Sequence, residues 1–140
     1  MPNPIFFYGL FMDEGLLRDR GLHPNLLGAA VLPGYRIHIG ARATLVRDAG
    51  ARCYGMLIDL PQADAEALYA PPDVRDYRAE RVEVALLDGA ETQTATVYNL
   101  PADKLSETSN PDYAVSLAAL VRELGLPLAY ADDVAAFAGE

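Results

Sequence analysis

The sequence predicts an α+β protein, in which a mixed or antiparallel sheet, open or closed into a small β-barrel, is flanked by short helices. Strand-like segments fill most of the chain as far as Tyr98, interrupted by short helical ones, and two helical patterns follow. Apolar residues make up 51% of the 140 residues, enough for a core without disulfides or metals. No repeat or linker interrupts the pattern, so we expect a single domain over residues 1–140.

Residues 5–11 predict the first strand and the loop that follows it. Their apolar and aromatic start suits a buried strand, and Gly9 permits close approaches that a side chain would block. A short helix is expected over 13–20, with Asp13 as its cap. Three backbone N–H groups lie in between, those of Leu10, Phe11 and Met12. They either face a bound anion or a developing oxyanion, or belong to an ordinary turn beside a core strand.

The next segments predict strands that cross the middle of the sheet. Alternation over 29–39 places apolar residues toward a core and His38 toward water, which makes this histidine a solvated residue rather than a ligand or base. A strand resumes over 43–46, and the Asp-Ala-Gly sequence at 48–50 predicts a hairpin turn. The nearly unbroken apolar run at 53–60 is typical of a central strand or barrel wall.

A short helix is predicted over 61–69, and it cannot extend into 70–76 because prolines there remove backbone donors. Residues 77–87 have the longest strand pattern in the chain. The Asp-Gly pair at 88–89 predicts a turn into a threonine-rich partner strand over 92–98.

The end of the chain predicts a loop and two helices. Residues 100–109 are polar and contain a proline, which indicates a loop. Asn110 is a good helix cap and is followed by proline; the apolar stripe after it ends at Gly125. A second helix is expected after Pro127.

The charge of the chain disfavours some classes of partner, and its single cysteine is not expected to be reactive. The formal charge of -9, from 20 acidic and 11 basic residues, disfavours nucleic acids and anionic membranes and favours small-molecule or protein partners. No apolar run is long enough for a membrane span, and no basic region precedes the first apolar residues, so we expect a cytoplasmic, soluble protein. Cys53 is the single cysteine and is expected to be a small buried residue rather than a nucleophile.

Most catalytic signatures are absent from the sequence. It has no phosphate-binding glycine loop, dinucleotide fingerprint or nucleophile elbow, and its histidines lack metal-ligand spacing, so we expect neither a metal nor a cofactor. Asp73 and Asp76 lie in the proline-stiffened loop before a long strand. Each is either a general acid or base aimed into a pocket, or a solvated turn residue. Arg42 is either an edge residue or an internal ion-pair partner.

Several short segments, in order, carry a family resemblance: Phe7-Tyr8-Gly9-Leu10-Phe11, Leu32-Pro33-Gly34-Tyr35-Arg36, Ala51-Arg52-Cys53-Tyr54-Gly55-Met56-Leu57-Ile58, Tyr77-Arg78, Thr94-Ala95-Thr96-Val97-Tyr98 and Asn110-Pro111-Asp112-Tyr113. By these segments the chain resembles the gamma-glutamylcyclotransferase-like family, which includes plant AIG2-like proteins, over nearly its whole length.

The resemblance implies a small mixed β-barrel and cleavage of a γ-glutamyl amide by its own α-amine, which yields 5-oxoproline and a free amine without water or cofactor. One carboxylate would carry the proton from the attacking nitrogen to the leaving nitrogen. The resemblance places the substrate against seven residues: Tyr8, Gly9, Leu10, Phe11, Tyr77, Tyr98 and Tyr113.

The chain departs from the family pattern at the catalytic position. Family members carry the glutamate in a Leu-Asp-x-x-Glu-Gly segment, whereas this chain has Leu-Tyr-Ala-Pro-Pro-Asp over 68–73. Pro72 occupies the glutamate position and cannot transfer a proton. Three hypotheses follow: an enzyme in which Asp73 serves as the base, an inactive binding or regulatory module on the same fold, or a purely structural interaction domain, which the retained Tyr8-Gly9 disfavours. Leu10 and Phe11 replace the usual polar residues after Tyr-Gly, which predicts a more apolar pocket.

Overall fold

The computed structural model describes residues 3–72, 74–89, 91–101, 104 and 110–138. Within these residues the chain forms five strands: β1 (Pro4–Phe7), β2 (Asn25–Ile39), β3 (Ala43–Asp59), β4 (Arg78–Leu86) and β5 (Thr92–Asn99). The α-helices of the same part of the chain are α1 (Glu14–Asp19), α2 (Gln62–Leu68), α3 (Pro111–Glu123) and α4 (Leu128–Ala135). Short 3₁₀ turns span Leu10–Met12 and Ala136–Ala138.

The strands close into a barrel in the order β1-β3-β2-β4-β5. Its seam is a parallel contact between Ile5 of β1 and Thr96 of β5, and the other pairings are antiparallel. The predicted α+β class with a small mixed barrel and flanking helices is therefore confirmed. β3 lies between β1 and β2, as expected of the apolar run at 53–60.

The buried core lies on both faces of the barrel wall, because consecutive strand residues point to opposite faces. Leu57 and Ile58 of β3 are fully buried, and so is Val84 of β4. Removing each such side chain from water contributes about 1.5–3 kcal/mol to folding. Cys53 is buried in the same core, as predicted. His38 points away from that core, and its ring is half-covered by an edge-on contact with Phe137, with 6.1 Å between the ring centres.

The predicted hairpin turn at 48–50 is wrong. β3 continues through these residues, and the chain reverses instead at 40–42, where Ile39 pairs with Ala43. The pairing between β2 and β3 shifts at this level, so that residues 48–51 bulge out opposite Gly34, whose φ is 86°. The Asp48 carboxylate accepts a hydrogen bond from the Gly50 N–H at 3.3 Å. An aspartate often makes this contact in a turn, but here the contact forms within the bulge and the strand does not reverse.

The helix boundaries follow from their caps. The Asp13 carboxylate accepts from the Gly15 N–H at 3.0 Å, and the Asn110 side chain accepts from the Tyr113 N–H at 3.2 Å. Gly125, with φ 79°, ends α3 as predicted. Within the described ranges no helix is long and apolar enough to cross a bilayer, and no group of three potential metal ligands gathers.

Candidate functional site

A cavity of about 470 Å³ opens beside the end of β1. It is lined by residues 6–11 and 41–43, together with Leu16, Arg20, Tyr69, Val74, Tyr77 and Tyr113. We call it the aromatic cavity. Residues 5–8, which include most of the predicted first strand, are buried, so the cavity forms where this strand leaves the barrel core.

The loop after β1 exposes fewer backbone donors than the sequence predicts. The Leu10 N–H donates to the Tyr113 hydroxyl at 3.3 Å, and the Met12 N–H donates to the Gly9 carbonyl at 3.0 Å. Of the three amides, that of Phe11 has no acceptor among the described residues. A Cβ on Gly9 would lie 2.5 Å from the Tyr113 hydroxyl, so glycine is what allows this hydroxyl to reach the loop.

Tyr98 lies behind the cavity rather than on its surface. Its ring stacks on Tyr69 with 4.1 Å between the ring centres and 15° between the planes. Its carbonyl accepts a hydrogen bond of 2.7 Å from the Tyr8 hydroxyl, which lies on the cavity wall. Of the seven residues placed at the substrate by resemblance, the other six line the cavity directly.

Tyr69 is a wall residue that the sequence did not single out. Phe11 meets its ring edge-on at 5.9 Å, and Tyr77 packs against it at 5.8 Å with a tilt of 49°. Such edge-on and tilted pairs contribute about 0.5–1.5 kcal/mol beyond their area burial. One feature of the sequence could have indicated its role: Tyr69 directly follows the buried Leu68, at the end of α2.

The turn between β2 and β3 forms the opposite rim. The Tyr77 hydroxyl donates to the Ala43 carbonyl, and the Asn110 side-chain amide donates to the Ala41 carbonyl at 3.1 Å. Arg42 forms an ion pair with Asp76, with 3.4 Å between Nη1 and Oδ2; both side chains are partly exposed, so the pair lies at the rim and not in the interior. Asp76 is therefore engaged at the rim and is not among the residues that line the cavity.

Burial sets the protonation of the cavity hydroxyls. It raises the pKa of Tyr8 and of Tyr69 well above the usual 10.0, and neighbouring tyrosines raise both further. Burial also raises the pKa of Tyr113, although the Leu10 N–H partly opposes the shift. At neutral pH these hydroxyls are hydrogen-bond donors and not bases.

The described lining of the aromatic cavity contains no carboxylate. Asp73, the base named in the enzyme hypothesis, lies outside the described residues. Its neighbour Val74 lines the cavity. Within the described lining, the charged side chains are thus the two guanidinium groups of Arg20 and Arg42.

A concave, mostly apolar pocket with a few polar groups, at the mouth of a small barrel, is the usual form of a small-molecule site. Residues 5–115 match the family model described as gamma-glutamyl cyclotransferase, AIG2-like. The chain belongs to this family, and the predicted resemblance is confirmed.

Solved structures support the same fold. A gamma-glutamyl cyclotransferase superposes with a TM-score of 0.77 at 18% identity, covering 96% of this chain and 86% of that chain. YkqA from Bacillus subtilis superposes with a TM-score of 0.81 at 22% identity; the match covers 99% of this chain and 55% of that one. A yeast gamma-glutamyl cyclotransferase specific to glutathione gives a TM-score of 0.66 at 14% identity, covering 98% and 95%. No curated protein sequence matches the chain.

Proposed function

We propose that this chain binds a small γ-glutamyl compound, or a related small ligand, in the aromatic cavity without cyclising it. The observation that carries the proposal is the cavity's described lining, which supplies hydrogen-bond donors and guanidinium groups but no carboxylate. Its volume of about 470 Å³ lies within the roughly 300–1,000 Å³ of small-molecule sites.

The donors on the cavity wall suit the oxygen atoms of such a ligand. The Phe11 N–H lies at the end of β1, where a ligand carboxylate or carbonyl oxygen would accept from it. The Tyr113 hydroxyl accepts from Leu10 and keeps its own proton to donate. Aromatic rings on the remaining wall would cover an apolar portion of the ligand.

Cyclisation would need one more group. The α-amine nitrogen attacks the γ-carbonyl carbon and the bond from that carbon to the leaving nitrogen breaks, so a base must move a proton from the first nitrogen to the second. Protonated tyrosines and arginines cannot accept that proton at neutral pH. The described lining therefore lacks the base that this reaction requires.

A cyclotransferase that uses Asp73 is the second candidate function. It is favoured by the position of Val74, which lines the aromatic cavity and is the next residue in the chain. In this candidate the Asp73 carboxylate takes the role of the family's glutamate.

One experiment separates the two candidates. A panel of γ-glutamyl amines and peptides is titrated calorimetrically, and 5-oxoproline is measured in the same mixtures. We expect binding of at least one compound without 5-oxoproline. Absence of binding across the panel overturns the proposal.

Two variants decide the role of Asp73 if 5-oxoproline is released. Release that is lost in Asp73→Asn and kept in Asp88→Asn establishes the second candidate, since Asp88 lies exposed in the turn after β4. Release that both variants keep removes Asp73 from the mechanism and also rejects binding without turnover.

A further inference from the structure

We infer that Arg20 makes the aromatic cavity selective for ligands that carry a negative charge on the portion beyond the γ-glutamyl group, next to an apolar side chain. The inference rests on the proposed function and names the class of ligand for the same site. A γ-glutamyl amino acid with an apolar side chain belongs to this class, whereas a γ-glutamyl derivative of a plain apolar amine does not.

Arg20 directly follows the last residue of α1 and lines the cavity. Leu16 and Arg20 are separated by one helical turn, so they share a face, and both line the cavity. Leu17 is fully buried and fixes the helix against the core. Arg18 lies on a different face and is paired with Glu14 at 2.7 Å.

The Arg20 guanidinium is held over an aromatic ring of the cavity wall. It lies 5.3 Å from the centre of the Phe11 ring, within the range of a cation–π contact. The Phe11 ring in turn packs edge-on against Phe7, with 6.3 Å between the ring centres. Phe11 therefore offers its backbone N–H to one end of a ligand and supports a cation for the other.

The two arginines of the cavity differ in their partners. Arg42 is paired with Asp76 at 3.4 Å, which neutralises much of its charge. No carboxylate among the described residues lies within ion-pair distance of Arg20. Since the chain carries a formal charge of -9, a ligand with an additional negative charge needs such a local cation.

A matched ligand pair tests this role. γ-Glutamyl-leucine and γ-glutamyl-isoamylamine differ by one carboxylate and share the same apolar group. We expect the natural chain to bind the first about fivefold more tightly, the upper end for a solvent-exposed ion pair. The preference should decrease as salt is added.

Three variants test whether Arg20 causes the preference for the ligand with the carboxylate. Arg20→Gln should lose the preference and bind the two ligands with similar affinity, and Arg20→Lys should keep part of the preference. Arg18→Gln, the matched control on the other face, should behave as the natural chain. Circular dichroism spectra and melting temperatures show that each variant is folded.

The outcomes separate this inference from the proposed function. Tight binding of both ligands, with a preference that Arg20→Gln leaves unchanged or with no preference at all, overturns the role of Arg20 and leaves the proposed function intact. Binding of neither ligand, while other γ-glutamyl compounds bind, rejects the ligand class alone. Failure of every γ-glutamyl compound to bind overturns both.

Discussion

Two glycines lie beside the end of β1 and have different neighbours: Gly55 of β3, and Gly9 in the loop after β1. A Cβ on Gly55 would lie 2.2 Å from the Phe7 carbonyl oxygen and 3.0 Å from the Phe6 ring, so it would strike the backbone of the barrel wall. A Cβ on Gly9 would meet the far end of one side chain, the Tyr113 hydroxyl, at 2.5 Å. In the barrel wall, backbone atoms limit the space beside the glycine. At the edge of the cavity, a side chain that can move limits it.

Gly55→Ala should cause the largest loss of stability among these predictions. The new methyl group cannot be accommodated unless β1 and β3 separate, so we expect a loss of about 3 kcal/mol in the free energy of unfolding. Urea denaturation measures it. Gly50→Ala is the matched control on the same strand, because a Cβ there meets nothing within 4 Å. Equal midpoints for the two variants would contradict the account of the wall.

Alkaline pH should weaken the cavity side through its buried hydroxyls. Well below pH 10.0 Tyr8, Tyr69 and Tyr113 are protonated in both the folded and the unfolded chain, so they add no pH dependence there. Above it the unfolded chain loses these protons first, because burial raises each folded-state pKa, and stability therefore falls. From pH 8 to pH 10.5 we expect a loss of about 2 kcal/mol for the three together.

Urea midpoints at the two pH values measure the total loss of stability, to which Cys53 and Tyr130 also contribute because burial raises the pKa of each. Tyrosinate absorbance reports the titration of the tyrosines. Tyr113→Phe removes one titrating group and should reduce the pH dependence. A midpoint that stays constant to pH 10.5 would show that the hydroxyls are not buried as described.

Gly9→Ala should have the smallest effect, about 1 kcal/mol, because the Tyr113 side chain can yield. The same substitution in a Tyr113→Phe background should cost almost nothing, since the next ring atom, Cζ, is 3.8 Å from the modified position. A double-mutant cycle in urea gives the coupling energy. Additive effects of the two substitutions would rule out the contact between them.

Local signals in the sequence predicted much of the fold. The caps at Asp13 and Asn110 and the apolar run at 53–60 depend on near neighbours in the chain, and the structure confirms them. The error at 48–50 has a local cause as well. An aspartate that accepts from the backbone two residues on occurs in a bulge as well as in a turn, and the pairing of β2 with β3 decides between them.

The site was harder to predict because its parts are distant in sequence. The contact between the Leu10 N–H and the Tyr113 hydroxyl joins residues 103 positions apart. No spacing rule indicates that the hydroxyl of a tyrosine far along the chain accepts a hydrogen bond from one of the backbone N–H groups that were expected to be available to a ligand. Tyr69 and Arg20 reach the cavity for the same reason: the barrel brings the ends of α1 and α2 together beside β1.

The location of the ligand is the central claim, and amide chemical-shift mapping tests it most directly. A ¹⁵N-labelled chain is titrated with γ-glutamyl-leucine. We predict the largest shifts at the amides of Leu10 and Phe11 and at residues 41–43, around the aromatic cavity. Shifts centred elsewhere on the molecule, for example at the groove formed by Arg36, Arg52 and Phe137, with residues 9–11 unchanged, would contradict the account.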